Sequence, residues 1–421
     1  MMEAPPVGSV RRAETGLAVV RITSKAAKRL RAQKPLLLRA DVLSDPPPLS
    51  TDQVLLCDER GQAVATALWA AVGPVAARLW SLSGEPFSRQ IIEARLRETW
   101  ARRRLLFRTR PRDAFRLVHA EADGLPGLVV DCYGDAAVIQ TGTQAMNRHK
   151  PLLAALVKEL LPVSRIVCRD DGSARDLESL PREAGFLLGG PSPTVRYHDA
   201  GSIMEADLLS DRKTGSFLDQ QDNHQEVAAW ASELCPQGQA LDAFTYHGGF
   251  ALALARAGFG VIACDEDPKA IARARKNAEL SQVTVDFRVH NAFDLLRAYE
   301  SEGRRFDLVV VDPPALAKRG RTSAQPVATA LVAALRAYKE LNLRAMRLLR
   351  PGGLLATCSC SGRITIELFS DMLRSAAQDS GRSLELLWRR GASADHPVLW
   401  SFPESEYLKC WLFRARPALL I

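Results

Sequence analysis

The sequence lacks the features that mark membrane-spanning, disulfide-stabilised and zinc-binding proteins. It has no run of about eighteen uncharged apolar residues, which a membrane-spanning helix needs. Met1–Arg12 has no apolar stretch before its arginines and does not have the pattern of a signal peptide. We therefore expect a cytoplasmic protein with no membrane partner. The cysteines are scattered singly, apart from Cys358 and Cys360, and none forms a CxxC pattern, so we expect neither a disulfide framework nor a metal site.

The composition predicts a globular chain that binds a polyanion. A chain of 421 residues is too long for one compact core, so we expect two or three domains. The net charge of +8 favours an anionic partner, because neutralised phosphates release counterions. Two basic clusters precede the C-terminal half and favour nucleic acid over the alternative, solvated helix faces. The first cluster is Arg11, Arg12, Arg21, Lys25, Lys28, Arg29, Arg31 and Lys34, and the second is Arg95, Arg97, Arg102, Arg103, Arg104, Arg108, Arg110 and Arg112.

Residues 16–85 and 86–200 predict two small domains. In the first, a small β-rich domain, we predict strands Leu17–Ile22, Val54–Cys57, Ala63–Leu68 and Ala76–Trp80, and a helix Ser24–Gln33. In the second, an α+β domain, we predict helices Ser88–Leu106 and Asn147–Leu161, and strands Phe115–Ala120, Leu128–Tyr133, Ala136–Thr141 and Arg165–Arg169.

Residues 201–421 predict a doubly wound α/β domain. Apolar strands alternate with helices, which indicates a parallel sheet that is covered on both faces. The predicted strands are Ala240–Phe244, Val261–Cys264, Leu308–Val311 and Gly353–Cys358, and the predicted helices are Phe250–Ala257, Pro268–Glu279 and Val327–Leu349. Ligands bind such sheets at the carboxyl ends of the strands.

Acidic or amide side chains follow successive strands at this edge. The first strand, Ala240–Phe244, contains Asp242 and runs into a turn with Gly248 and Gly249, where the backbone can approach a ligand closely. Asp265 could bind ribose hydroxyls or cap the next helix. Asn291 could pair with an adenine, and Asp312 ends the fourth strand. Because a full GxGxxG motif is absent, the set favours a nucleoside-type cofactor over a nicotinamide.

The segments Asp211–Asn223 (DRKTGSFLDQQDN) and Asp312–Lys318 (DPPALAK) resemble those of bacterial 23S rRNA cytosine-C5 methyltransferases. The likeness continues in Arg116–Asp131 and His396–Lys409. It implies a PUA domain, an EEHEE-type middle domain and a Rossmann-like class I methyltransferase domain, with S-adenosylmethionine as the cofactor and ribosomal RNA as the partner. The cofactor-binding residues that it implies are Lys213, Phe217, Asp219, Gln220, Asp242, Phe244, Gly248, Gly249, Asp265, Asn291 and Asp312.

Methylation of cytosine C5 requires a nucleophile, because this carbon reacts only after a thiolate has added to C6. Cys360 matches the nucleophile motif of the family, whereas strand alternation would put Cys358 and Cys360 on one face. We therefore predict Cys360 as the nucleophile. Asp312 is the carboxyl group predicted to activate N3 of the base.

Two other functions remain open at this point. One is a ribosomal RNA guanine methyltransferase, which shares the Asp-Pro-Pro motif and needs no thiol. The other is an RNA-binding assembly factor with a relic cofactor site. The sequence also leaves the oligomeric state open, with a homodimer among the alternatives.

Overall fold

The computed structural model describes residues 16–46, 51–190, 192–316 and 327–417. Arg11 and Arg12 of the first basic cluster and Lys318 of the second motif lie outside the described residues. The chain divides into two compact units: the first comprises Met1–Val195, Asp207–Gly215 and Asp395–Ser405, and the second Arg196–Ala206, Ser216–Ala394 and Glu406–Ile421. A search of the described helices finds none with the length and apolar character that a bilayer crossing requires.

The first sheet of the first unit has the order β1-β3-β4-β5-β2, with β1 parallel to β3 and the other pairs antiparallel. Its elements are β1 Ala18–Arg21, α1 Ser24–Arg31, β2 Leu36–Leu38, β3 Gln53–Cys57, β4 Ala63–Trp69 and β5 Val75–Ser81. Thr23 caps α1, since its Oγ1 accepts a hydrogen bond from the Ala26 amide at 3.2 Å. Edge strand β2 was not predicted, because three residues after a proline carry too little alternation to be recognised.

The second sheet of this unit has the order β10-β9-β8-β7-β6. Its elements are α2 Arg89–Leu106, β6 Ala114–His119, β7 Leu128–Tyr133, β8 Ala136–Thr141, α3 Gln144–Arg148, α4 Lys150–Leu160, β9 Arg165–Asp170 and β10 Glu183–Leu188. The single helix predicted over Asn147–Leu161 is wrong, because the helix is interrupted at His149. Pro151 stands in the first turn of α4, where its missing N–H and fixed φ favour a new helix start.

The arginine-rich helix α2 is not simply a solvated face. Arg103 is 2% exposed and pairs with Asp123, which is fully covered as a side chain. Arg95 donates to the Gly124 carbonyl at 2.6 Å and pairs with Glu85. Part of the second basic cluster therefore stabilises the fold and is not available to a nucleic acid.

The second unit is built on a sheet with the order β15-β14-β13-β16-β17-β19-β18 among its described strands. Its elements are β11 Thr194–Asp199, β12 Ser202–Asp207, α5 Gln221–Leu234, β13 Gln239–Asp242, α6 Gly249–Arg256, β14 Gly260–Asp265, α7 Pro268–Ser281, β15 Asp286–Val289, α8 Ala292–Ser301, β16 Phe306–Val311, α9 Val327–Arg347, β17 Leu349–Ser359, α10 Ile366–Ser380, β18 Arg382–Arg390 and β19 Lys409–Pro417. Strands β11 and β12 pair with each other as a separate two-stranded sheet.

The predicted α/β class is confirmed, but the sheet is mixed and not wholly parallel. Strands β13 to β17 run parallel, whereas β19 lies antiparallel between β17 and β18. No pattern in the sequence predicted that the last strand, β19, lies between the earlier strands β17 and β18. Because the five parallel strands share a direction, their carboxyl ends meet at one edge of the sheet.

Candidate active site

The turn between β13 and α6 brings the backbone close to its surroundings. Gly248 has φ of +94°, and a Cβ there would lie 2.2 Å from Cδ1 of Leu252. A Cβ at Gly249 would lie 2.3 Å from the ring of His224. Both positions therefore require glycine for the packing of the unit itself, which is a second reason beside the predicted approach of a ligand.

Asp242, at the end of β13, is fully buried with an unsatisfied carboxyl group. Neither of its oxygens has a hydrogen bond of normal geometry within the described part of the chain, and the same is true of Oγ1 of Thr245. Burial raises the pKa of Asp242 to about 6, although the nearby Thr245 hydroxyl opposes this shift. Buried polar atoms are rarely left without partners, so these groups are suited to receive polar atoms of a bound cofactor.

Asp265, at the end of β14, is positioned by the turn beside it. Its Oδ2 accepts a hydrogen bond from the Tyr246 amide and its Oδ1 accepts one from the Asp267 amide, each at 3.0 Å. The alternative role of Asp265 as a helix cap is wrong, because Asp267 caps α7 through the Lys269 amide at 2.9 Å. Binding of ribose by Asp265 stays a prediction.

Asn291 follows β15 and caps α8. Its Oδ1 accepts from the Phe293 amide at 3.0 Å and from the Asp294 amide at 3.4 Å, and its Nδ2 donates to Glu266 at 3.3 Å. The side chain is exposed. An adenine would have to share this amide with the helix cap, and the predicted adenine contact stays a prediction.

Aromatic rings line the turn after β13, a feature that the sequence reasoning missed. Tyr246 has φ of +48° and stacks on His247 with ring centroids 3.7 Å apart. The half-buried Phe217 meets Tyr246 edge-on at 5.0 Å. Phe244 packs against the core of the unit. Lys213 belongs to the first unit, and its contact with the cofactor stays a prediction.

A hydrogen-bonded chain of side chains reaches Asp312 at the end of β16. Gln220 Nε2 donates to Asp312 Oδ2 at 2.9 Å, and Gln220 Oε1 accepts from Asn223 at 2.6 Å. Asp219 is buried and accepts from the Tyr407 hydroxyl at 2.6 Å. Burial and the charge of Asp219 raise the pKa of Asp312 to about 7. Asp312 can therefore hold a proton near neutral pH, as an acid at a reacting base must.

The structure distinguishes the two candidate cysteines. Cys358 is fully buried opposite Cys410 in the β17–β19 ladder, and burial raises its pKa far above the ordinary value. Cys360 is partly exposed and lies beyond β17, which ends at Ser359. Because β17 ends one residue before Cys360, the regular alternation of the strand does not include it, and a shared face for the two cysteines stays a prediction. Of this pair, Cys360 is the accessible thiol.

The sheet order, the glycine turn and the acidic strand ends define a class I methyltransferase that uses S-adenosylmethionine. Residues 236–390 match a family model described as a methyltransferase domain, and residues 20–82 match one described as a PUA-like domain. A solved Streptococcus mutans protein assigned to the SAM-dependent methyltransferases has a TM-score of 0.78 at 17% identity, over 94% of this chain and 100% of that one. Another solved structure, complexed with SAH, has a TM-score of 0.78 at 18% identity with the same coverage.

Curated relatives are closer in sequence. Ribosomal RNA large subunit methyltransferase I of Tolumonas auensis is 34% identical over 375 residues, covering 87% of this chain and 91% of the relative. The protein of the same name from Erwinia tasmaniensis is 35% identical over 366 residues, covering 84% and 88%. The chain therefore belongs to the family of ribosomal RNA large subunit methyltransferase I.

Proposed function

We propose that the chain methylates C5 of a cytosine in large-subunit ribosomal RNA through a covalent adduct of Cys360. The observation that carries the proposal is the contrast between the sealed Cys358 and the accessible Cys360 at the edge where the parallel strands end. The names of the family members support ribosomal RNA as the substrate. S-adenosylmethionine, when bound, supplies an electrophilic methyl group on a sulfonium.

The residues at this edge suit the chemistry of a pyrimidine. The thiolate of Cys360 adds to C6, which makes C5 nucleophilic enough to take the methyl group. The C5 proton then leaves, the S–C6 bond breaks, and the sulfur departs as the thiolate that entered. Asp312 in its protonated form donates to N3 of the base while charge accumulates there. Burial is the main cause of the raised pKa of Tyr338, and the charges of both Cys360 and Asp312 add to it, which supports a shared site.

The cofactor residues act by binding and orientation. Asp242 and Thr245 offer buried acceptors without hydrogen bonds of normal geometry in the described structure, and Asp265 is held by two backbone amides. Phe217, Asp219 and Gln220 stand together on the segment that leads into α5. Asp219 is fixed by Tyr407 and Gln220 by Asn223, so this segment presents ordered side chains to the strand ends.

The test is transfer of a tritiated methyl group from S-adenosylmethionine to large-subunit RNA, with nucleoside analysis of the product. Wild type and Cys358→Ala should both form 5-methylcytosine, whereas Cys360→Ala should form none. An RNA containing 5-fluorocytosine should trap wild type covalently and should not trap Cys360→Ala. Full activity in both alanine variants would contradict the proposal and favour a guanine or another nitrogen target.

A further inference from the structure

A buried lysine lies beside the candidate nucleophile. Lys409 begins β19 directly opposite Ser359, the last residue of β17, and is 5% exposed. Its Nζ donates to the carbonyl oxygens of Ser361 at 3.1 Å, Ile364 at 2.8 Å and Tyr407 at 3.0 Å. In the sequence, Cys360 therefore lies between Ser359, which faces Lys409 in the ladder, and Ser361, whose carbonyl oxygen accepts a hydrogen bond from Lys409.

The three hydrogen bonds identify Lys409 as an ammonium cation. All three N–H groups donate to carbonyl oxygens, and a neutral amine has only two such donors. Within the described ranges, Lys409 has no carboxylate at ion-pair distance. Burial lowers the pKa of Lys409, and the nearby Cys360 and Glu406 oppose this shift. A buried cation without a counter-ion is costly, which indicates that an anion at this place would be stabilised.

Other titratable groups surround the same turn. Arg363 lies within the turn and is partly exposed. The hydroxyl of Tyr338 accepts a hydrogen bond from Ser359 Oγ at 3.1 Å. Asp312 stands one residue beyond the end of β16, and its negative form would oppose a thiolate. Glu406 would do the same. Lys409 is the cation that is both buried and bonded to the turn after Cys360.

We propose that Lys409 positions Cys360 and serves as the counter-charge of its thiolate. The inference rests on the proposed function, because it takes Cys360 as the nucleophile that the positive charge of Lys409 stabilises. Lys409 fixes the turn Ser361–Ile364 directly after Cys360, and its field favours the anionic sulfur over the thiol. The proton of the thiol leaves to solvent before C6 is attacked, and Lys409 keeps its own proton throughout because three carbonyls hold it. Lys409 is thus a positioning residue that acts through Cys360.

The test is the pH dependence of alkylation of Cys360 by iodoacetamide, followed by mass spectrometry of the cysteine-containing peptides. It requires neither RNA nor cofactor. Lys409→Gln removes the charge but keeps a side-chain amide that can still donate to the turn, and Lys409→Arg keeps the charge. We expect Lys409→Gln to raise the midpoint pH for alkylation by about one unit or more, and Lys409→Arg to restore most of the shift. Arg363→Met, which removes a solvent-screened cation from the same turn, should have a smaller effect.

Cys358 serves as an internal control for the integrity of the strand. It is fully buried two residues before Cys360 and should stay unlabelled in every variant. Labelling of Cys358 in Lys409→Gln would show that the strand end has opened and would overturn the electrostatic role. An unchanged midpoint for Cys360 in a variant with protected Cys358 would overturn it as well.

Methyl-transfer assays distinguish failure of this inference from failure of the proposed function. If Lys409 acts as inferred, Lys409→Gln lowers kcat and moves the optimum to higher pH, while KM for RNA is unchanged. If Cys360→Ala retains full transfer, the proposed function fails, yet the alkylation experiment still shows whether Lys409 stabilises the thiolate.

Discussion

The buried carboxylates of the first unit differ from those at the parallel strand ends of the second unit, although the second unit also has paired buried carboxylates such as Glu205. In the first unit, buried carboxylates are met by arginines: Asp123 by Arg103, Asp131 by two nitrogens of Arg116 at 2.8 Å each, and Asp170 by Arg175 at 3.0 Å. At the strand ends of the second unit, Asp242 has no hydrogen-bond partner of normal geometry in the described structure, and Asp312 accepts a hydrogen bond from the neutral amide of Gln220 at 2.9 Å. Oγ1 of Thr245 and Oγ1 of Thr357, both in the second unit, are likewise buried without a hydrogen bond of normal geometry among the described residues.

This difference distinguishes carboxylates that stabilise the fold from carboxylates that are suited to bind a ligand. Paired buried charges stabilise one conformation, and their removal leaves the partner uncompensated. Unpaired or weakly paired groups carry shifted pKa values and cluster where chemistry occurs. Substitutions of the paired carboxylates of the first unit and of the strand-end carboxylates of the second unit should therefore have opposite consequences.

Among the carboxylates, the largest effect on activity is expected for Asp312→Asn. An amide cannot give up a proton to the base, so we expect methyl transfer to fall by about 10²–10⁴-fold. In wild type, kcat/KM should decline as pH rises past about 7, where Asp312 loses its proton. This decline should vanish in the residual activity of Asp312→Asn. Asp307→Asn, at the opposite end of β16, is the control and should retain activity; equal losses in both variants would contradict the role of Asp312.

The next effect concerns stability and should appear for Asp123→Ala in the first unit. The variant leaves Arg103 as a buried charge without its counter-ion, and we expect a loss of about 3–5 kcal/mol in the free energy of unfolding. Denaturant titration measures this. Glu93→Ala removes the partner of the exposed Arg97 and should cost below about 1 kcal/mol. A small loss for Asp123→Ala would show that the paired charges of this unit are not structural.

How far the sequence predicts these features depends on the range of the interaction. Strands β7 and β8 are predicted at both ends, because alternating apolar residues and flanking turns are local signals. Asp242, Asp265 and Asp312 are placed at strand ends by the same local reasoning. The ladder that seals Cys358 against Cys410 joins residues about fifty positions apart, and no local pattern reports it. For the same reason the burial of Lys409 emerges only from the structure, whereas the helix cap at Asn291 is a local contact that the sequence reasoning missed.

Asp242→Asn should be stabilising and inactivating at the same time. Burial raises the pKa of Asp242 from 3.8 to about 6, so the wild type loses stability as pH rises through about 6 and is fully stable in this respect only below about 4. The neutral amide avoids that loss, and we expect a gain of about 3 kcal/mol at pH 8 and about half of that gain at pH 5.

Binding of S-adenosylmethionine by the same variant should weaken by about tenfold or more, because an amide does not reproduce a carboxylate acceptor. Calorimetric titration and thermal unfolding at the two pH values measure both properties on one sample. A variant that is both less stable and weaker in binding would show that Asp242 is structural like Asp123, and the contrast between the units would fail.

The exposed charges of the first unit offer the finest test of the contrast. Lys25, Lys28 and Lys34 are exposed on and after α1, and none has an ion-pair partner among the described residues. Beside them, the Ser401 hydroxyl donates to the Gln33 carbonyl at 2.8 Å, and the adjoining Trp400 is 92% exposed. Unlike the arginines of α2 that enter ion pairs, these side chains are free to meet phosphates and bases of an RNA.

Replacing the three lysines by alanine should therefore weaken RNA binding and leave the fold intact. Each lysine that neutralises a phosphate of single-stranded RNA contributes about 0.7 to the slope of log K against log salt, so the slope should fall by about 2. Fluorescence anisotropy with a labelled RNA at several salt concentrations measures it. Arg97→Ala is the control, since Glu93 already neutralises that side chain. If the triple variant keeps the wild-type slope, the charge of α1 is a solvated helix face, and the RNA is held by other residues.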